Sequence, residues 1–246
     1  MLAPLVLTLA VAVAAASPAP PARPAAAGGP SRSHEGVRSL VGRCVTAYGG
    51  KAALARAAVV LEEGTVTSLL HPGETGRIGR AYVRPGKLRV ETRFPGGPGE
   101  IRVLDGGKGW RDGEAVDGPR LAAMILQAAR MDLPALLSAW VDRVEDRGDG
   151  EVDGRRVRIL ALKPAPGLVL LAEIDVSTGR VLRSRGSSVD PGMPLAFETT
   201  YGDFRKVEGV LVPFLERNWA NGRATGETVL EKVSFPSRLP DAHFRP

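Results

Sequence analysis

Positions 87–94 read KLRVETRF, a stretch in which apolar or neutral side chains alternate with charged ones. A period of two predicts a β-strand with one face buried and the other in water. The glycine-rich segment 96–99 breaks the chain, and EIRVL at 100–104 alternates again. The two stretches therefore predict a β-hairpin, and the turn at 105–107 brings Trp110, a ring that a small sheet would normally bury, onto the same sheet.

Strand signals recur through most of the chain. Turn residues separate them about every eight to twelve positions, which is typical of a sandwich or an up-and-down barrel. Together with the hairpin they predict about eleven strands, with a possible bulge at Gly64, and a sheet of this size should curl. The further strands are predicted at 59–70, 75–84, 155–163, 168–176, 180–189, 195–206, 210–220 and 225–235.

Two segments have helical spacing instead. Apolar residues form one stripe along 35–48, where Gly49-Gly50 ends the helix before a short second one at 51–56. A second pair of helices is predicted at 119–129 and 133–140, between strands. The fold class is therefore mainly β with helices (α+β), a curled antiparallel sheet whose open side the helices cover.

The chain begins with an apolar run at 5–16 that ends in small residues. It is too short to span a bilayer and predicts a signal peptide over 1–16, hence an exported, periplasmic protein. The alternative is an uncleaved apolar leader that keeps the protein at the membrane. Residues 17–32, mostly Ala, Pro and Gly, predict a spacer, and 33–246 a single domain.

Composition limits the function further. Cys44 is the only cysteine, so no internal disulfide can form, and its position in the helical stripe predicts a core residue. The net charge is +6 and the basic residues are mostly arginine, which suits anionic lipid head groups or phosphates but also suits a well-solvated sheet. These residues are scattered along strands without interleaved aromatic rings, which argues against nucleic-acid binding.

Patterns that carry catalysis are missing from the sequence. The three histidines have no metal-ligand spacing, and Ser187-Ser188 lacks the glycines of a nucleophile elbow, which predicts a strand end. The DGGKG segment at 105–109 is not followed by the helix of a phosphate-binding loop. The acidic residues at 146–153 lack the spacing of a calcium loop and predict a solvated turn. We therefore predict no catalytic residue, no metal, no cofactor and no enzymatic activity.

The remaining candidate site is the interior of the curled sheet. Valine and isoleucine side chains cannot fill the middle of ten or more strands, and an unfilled apolar concavity binds apolar ligands. The alternative is that the two helical segments plug the space and leave an ordinary core. The residues predicted to line the cavity are Leu88, Val90, Phe94, Ile101, Val103, Trp110, Val157, Ile159, Leu170 and Ile174.

Several short motifs, in their order along the chain, carry a family resemblance. They are Tyr48-Gly49-Gly50 after a helix, RPGKLRVE at 84–91, Asp105-Gly106 with Gly109-Trp110, Glu173-Ile174-Asp175 with Thr178-Gly179, Tyr201 with Asp203-Phe204, Gly209-Val210 with Pro213-Phe214, and Pro240-Asp241 with Phe244. The chain thereby resembles the periplasmic lipoprotein carriers of the outer-membrane lipoprotein-sorting superfamily. The resemblance implies a half-open barrel of about eleven strands, closed by helices, that shields acyl chains in the periplasm.

The same resemblance implies an arginine at the cavity mouth that gates a helical lid. Arg84, Arg89 and Arg93 are the nearest candidates, but alternation turns the last two toward water, and no position is assigned. The expected partner is a lipid or an acylated lipoprotein, bound by a monomer. The alternative is an interaction or sensor module that binds another envelope protein on the same concave sheet. Phe94, beside the glycine-rich tip, could touch a membrane or be part of a plain exposed turn.

Overall fold

The computed structural model describes residues 34–69, 71–97 and 99–246. The predicted signal peptide and spacer, at 1–16 and 17–32, lie outside these ranges. Four α-helices and thirteen β-strands are described. The helices are α1 (His34–Ala47), α2 (Gly50–Arg56), α3 (Gly118–Met131) and α4 (Leu133–Ala139). The strands are β1 (Val59–Ser68), β2 (His71–Val83), β3 (Lys87–Arg93), β4 (Glu100–Asp105), β5 (Lys108–Arg111), β6 (Glu114–Val116), β7 (Glu145–Val152), β8 (Arg155–Leu162), β9 (Leu168–Asp175), β10 (Val181–Ser188), β11 (Ala196–Val207), β12 (Val210–Ala220) and β13 (Arg223–Ser234).

The strands form one antiparallel sheet in the order β6-β5-β4-β3-β2-β1-β13-β12-β11-β10-β9-β8-β7. Each neighbour is also next in the chain, except that β1 pairs with β13 in the middle of the sheet. The two edge strands, β6 and β7, do not pair with each other within the described ranges. The chain passes from one edge to the other through α3 and α4, so the helices connect the two sides of the opening.

Helix α3 lies inside the curled sheet and packs against both walls. One side of it, with Met124 and Ala128, joins a cluster formed with β2, β3 and β4. Ala122 and Leu126, on another side, join the larger cluster that includes β8, β9 and β10. Two strand glycines permit this approach: a Cβ on Gly109 would lie 3.0 Å from Leu121 Cδ1, and one on Gly186 would lie 3.1 Å from Leu126 Cδ1.

The other helices follow the predicted pattern closely. Val37, Leu40, Val41 and Cys44 form the buried stripe of α1, and Cys44 is fully buried as predicted. Burial raises the pKa of its thiol to about 12, so the thiolate is not accessible at neutral pH. Within the described ranges no single helix is long and apolar enough to cross a membrane; α3 and α4 together reach that length and composition but are bent by 84°.

The predicted number of strands, about eleven, was too low. The described part of the sheet has thirteen strands, and those for which no range was predicted are β5 and the edge strands β6 and β7. The acidic segment predicted to be a solvated turn belongs to β7, where Asp146 and Asp149 both bind Arg158 of β8. The bulge predicted at Gly64 is confirmed, because the pairing of β1 with β13 shifts between Glu63 and Gly64. The half-open, helix-covered, mainly β architecture is confirmed.

Candidate ligand-binding cleft

The inner face of the sheet is the one that faces α3, and it is built from rows of residues in register across neighbouring strands. One row consists of Tyr82, Leu88, Leu104 and Gly109, all apolar apart from the tyrosine hydroxyl. The adjacent row, two residues along each strand, carries charges instead. It runs Glu62, Arg80, Val90, Arg102 and Arg111 from β1 to β5.

The apolar row lies toward what we call the sealed end of the barrel, where α1, α2 and α4 fill the interior. Leu54, Leu133 and Leu137 are buried there against β12 residues such as Val210 and Val212. The void that remains among them has a volume of only about 100 Å³. At this end the helices form an ordinary core, which is the alternative that the sequence left open.

Beyond the charged row the interior is not filled, and we call this part the open end. A cleft of about 900 Å³ lies between α3 and the sheet, within the size range of small-molecule sites. Its apolar lining comes from both walls and from the helix. The apolar side chains that line it include Val66, Ile78, Phe94, Ala123, Leu126, Leu170 and Phe197.

Between the two ends lies a buried ion network, which we define as Glu62, Arg80, Arg130 and Glu216. Arg80 Nε lies 2.6 Å from Glu62 Oε2, and its Nη1 and Nη2 donate to Glu216 at 2.8 and 3.2 Å. Arg130 of α3 donates through Nη1 to Thr199 Oγ1 at 3.0 Å and to Glu216 Oε2 at 3.4 Å. Glu216 and Arg130 border both voids, so the network separates the sealed end from the cleft.

The two carboxylates of this network have opposite electrostatics. Burial alone would raise the pKa of Glu216, but Arg80 and Arg130 outweigh it and lower that pKa to about 2. For Glu62, burial dominates and raises the pKa, because Arg80 offsets it only in part and Glu216 adds repulsion. The pKa of Arg80 is raised, since both carboxylates outweigh the cost of its burial. Glu216 is therefore the main counter-ion of Arg80.

A second ion pair fixes the junction of α3 and α4. Arg84, just after β2, donates through Nε to Asp132 Oδ2 at 2.7 Å and through Nη1 to the carbonyl oxygen of Leu54 at 3.1 Å. It thus contacts both helical segments at the sealed end. Arg89 and Arg93 point away from the interior, as their alternation predicted, since they are in register with the outward-facing Val103 and Arg77.

Half of the residues predicted to line the cavity do lie on the inner face. Leu88 and Val90 belong to the two inner rows and pack in the same cluster as α3. Ile174 is fully buried in the main core beside α1. Phe94 and Leu170 reach the cleft itself. Phe94 is also not a free tip residue, because its ring stacks on His71 with centroids 4.0 Å apart.

The other five residues, Ile101, Val103, Trp110, Val157 and Ile159, lie on the opposite face, so their assignment to the cavity was wrong. The hairpin pairs Thr92 with Glu100, which turns the even-numbered residues of β4 inward and the odd-numbered ones outward. The outer face is apolar there because the C-terminal segment, with Leu239 and Phe244, packs on Val103. On the other wall, Val157 packs outward with Leu182 and Phe204.

The functional residues that the sequence analysis missed are the inward-facing arginines. Arg102 alternates with Ile101 and Val103 along β4, so it lies on the face opposite to theirs. Which of the two faces is the inner one depends on how the hairpin pairs β4 with β3, and the sequence did not reveal that pairing. Arg130 follows Ala123 and Leu126 around α3, at positions that face the sheet. In the described part of the chain no three His, Cys, Asp or Glu side chains are grouped to hold a metal.

Comparison with solved structures places this fold. A LolA superfamily protein from Nitrosomonas europaea superposes with a TM-score of 0.57 at 12% identity, covering 85% of this chain and 97% of that one. A DUF1329 family protein from Desulfovibrio piger superposes with a TM-score of 0.52, also at 12% identity, covering 86% and 96%. No family model matches the sequence. No curated protein matches it either. The resemblance inferred from the motifs is therefore confirmed at the level of the fold.

Proposed function

We propose that this protein is an exported carrier that shields the acyl chain of a lipid or a lipoprotein in the cleft at the open end of its half-barrel. The observation that carries the proposal is the cleft itself, about 900 Å³ of unfilled space between α3 and the sheet. Apolar side chains from the helix and from both walls line it, and burial of a hydrocarbon chain against them is favourable. The likeness to the LolA fold and the apolar leader both support a role outside the cytoplasm.

The shape of the cleft indicates how a chain would enter. The ends of β1, β2 and β12 and the β3–β4 loop lie at the open end, where Ser68, His71, Phe94, Gly99 and Ala220 border the cleft. The ion network closes its inner limit. A ligand would therefore enter past this end of the sheet and lie along α3, with the charged row beside one end of it.

Native mass spectrometry of protein purified from its own envelope tests the proposal, together with uptake of a fluorescent fatty acid. The decisive variant is Ala123→Trp, because Ala123 is half-buried on the cleft side of α3 and an indole there fills the space. Ala115→Trp is the matched control, since it adds the same ring on the outer face, in register with Trp110. We expect Ala123→Trp to weaken uptake at least about tenfold, whereas Ala115→Trp leaves it unchanged.

Absence of any co-purifying lipid, together with no uptake by the unmodified protein, would overturn the proposal. The alternative, a module that binds an envelope protein on the concave sheet, gives a different result. It predicts a stoichiometric partner in a pull-down whose capture is insensitive to added fatty acid. Variants of Trp110 and Val103 do not separate the two, because both residues face away from the cleft.

A further inference from the structure

Four arginines reach the open end from the sheet and the helix. Arg80, Arg102 and Arg111 are in register on β2, β4 and β5, and Arg130 extends from α3. An apolar cleft needs none of these residues to hold a hydrocarbon chain. Removing guanidinium groups from water, as at Arg80 and Arg130, costs solvation energy unless a negative partner compensates it.

Only one of the four has a full set of carboxylates. Arg80 is almost completely buried and is held by both Glu62 and Glu216. Arg130 reaches Glu216 only at 3.4 Å, on the oxygen that Arg80 already contacts at 2.8 Å. Its side chain borders the cleft and also hydrogen-bonds Tyr201, so Arg130 has neutral partners and a share of one carboxylate.

Arg102 and Arg111 likewise share one carboxylate. Arg102 Nε lies 2.9 Å from Glu100 Oε1, and Arg111 binds the other oxygen of Glu100. Arg102 also donates to Gln127 Oε1 at 3.1 Å, which turns its guanidinium toward α3. The nearby Asp112 is engaged by the backbone N–H of Ile101 at 2.8 Å, and its carboxylate is 3.8 Å from Arg111 Nε.

The electrostatics of Arg102 agree with this shortage of negative charge. Burial lowers the pKa of its guanidinium, Glu100 opposes that effect, and Arg111, Arg130 and Arg80 lower the pKa further. A positive group whose charged form is disfavoured by neighbouring positive groups is stabilised by an added anion. Arginine, with its planar fork of donors, is suited to a carboxylate or a phosphate.

We propose that the ligand of the cleft is an anionic amphiphile, whose carboxylate or phosphate head binds Arg102, Arg111 and Arg130 while its chain lies along Leu126, Leu170 and Phe197. The inference rests on the proposed function, since it assigns the head group of the chain that the cleft shields. It separates fatty acids and phosphate-headed lysolipids, which carry that charge, from neutral lipids of equal length.

Three ligands with one chain test the inference: palmitate, palmitoyl lysophosphatidic acid and hexadecanol. Affinities are measured for the full mature chain by displacement of a fluorescent probe, at equal ionic strength. We expect at least one of the two acids to bind roughly tenfold more tightly than hexadecanol, as a charge-assisted hydrogen bond predicts. The tighter of the two acids identifies the source of the negative charge.

The variant R102Q/R111Q removes the sheet arginines, and R77Q/R93Q is its control, because Arg77 and Arg93 are cross-strand neighbours on the outer face. We expect the first variant to lose roughly tenfold in affinity for the preferred acid and to keep its affinity for hexadecanol, and the control to change neither. Arg111→Gln alone, at a half-exposed side chain, repeats the test if the double variant does not fold.

Two failures are distinguishable. If all three ligands bind the unmodified protein equally, or if R102Q/R111Q keeps full affinity for both acids, the anionic head group is refuted and the acyl cleft stands. If none of the three ligands binds, the proposed function falls, and this inference falls with it.

Discussion

The sealed end and the open end of the half-barrel share the same strands but differ in what covers them. At the sealed end α1, α2 and α4 leave about 100 Å³ unfilled, and at the open end the sheet and α3 enclose about 900 Å³. Strand alternation runs unchanged through both, for example along β2 from Ile78 to Tyr82. Alternation therefore determines which face is buried, whereas the reach of the helices determines which end is filled.

The buried ion network marks the line where one end changes into the other. Its charges are almost fully removed from water, so each must be paired to be tolerated. The pairing joins β1, β2, β12 and α3 across the interior and fixes the level at which α3 crosses. The two ends thus lie on either side of a polar boundary. Substitutions in the ion network and at each end test how they differ.

Replacing Arg80, the centre of the ion network, should lower the free energy of unfolding more than any other change in this series. Arg80→Met leaves Glu62 and Glu216 facing each other without their common counter-ion, and breaking a buried pair in this way costs about 3–5 kcal/mol. Urea unfolding of the purified chain measures the loss. Arg77→Met is the control, because Arg77 pairs with Glu231 on the exposed outer face, where solvent screens the ion pair and its loss should cost much less. Equal losses in the two variants would show that the network is not a structural boundary.

Leucine truncations should distinguish the two ends from each other. Leu137 is fully buried on α4 at the sealed end. Leu137→Ala should lower the free energy of unfolding by about 2–5 kcal/mol, because a rigid core does not close around the cavity that the truncation leaves. Leu126→Ala widens a cleft that already exists, so only the transfer term is lost, about 2 kcal/mol. Denaturant midpoints of the two variants check the order. A larger loss for Leu126→Ala would mean that the open end is as tightly packed as the sealed one.

The sequence predicted the features that depend on local periodicity. The stripe along α1, the alternation of β3 and the bulge at Gly64 all follow from neighbouring residues, and the structure has each of them. The helical cover at 118–139 was also predicted, although the end of the barrel that it fills was not. Which end is filled depends on the bend between α3 and α4. Arg84, which is distant in the sequence, fixes that bend by donating a hydrogen bond to Asp132 at the junction of the two helices.

Errors arose where an outcome depends on register or on a remote segment. Val103 and Trp110 were placed inside because they are the apolar partners in their strands, yet the 94–99 loop has the parity that turns them outward. The cover they receive from Phe244 comes from the far end of the chain. The same parity concealed Arg102, so half of the predicted lining and the charged residues of the inner row required the structure.

The dependence of stability on acid pH should show how much Glu216 contributes to the ion network. The pKa of Glu216 is about 2 in the folded chain and about 4.3 in the unfolded chain. The stability that Glu216 contributes is therefore fully present above the unfolded pKa and is lost as the pH falls toward 2. Glu216→Gln should therefore cost on the order of 3 kcal/mol at neutral pH and flatten the acid limb of the stability curve. Unfolding free energies measured across that range test the prediction, with Glu227→Gln on the outer face as the control.

Glu62→Gln should have the smallest effect of the series, although Glu62 contacts the same arginine. Its pKa is raised by burial, so the folded chain takes up a proton on Glu62 more readily than the unfolded chain does, and stability is gained as the pH falls through the raised value. A neutral amide removes that cost together with one contact to Arg80, and the two effects should cancel to within about 1 kcal/mol at neutral pH. Parallel unfolding of Glu62→Gln and Glu216→Gln checks this. If both variants lose the same amount, Arg80 depends equally on its two carboxylates, and the boundary is held from the β1 side as firmly as from β12.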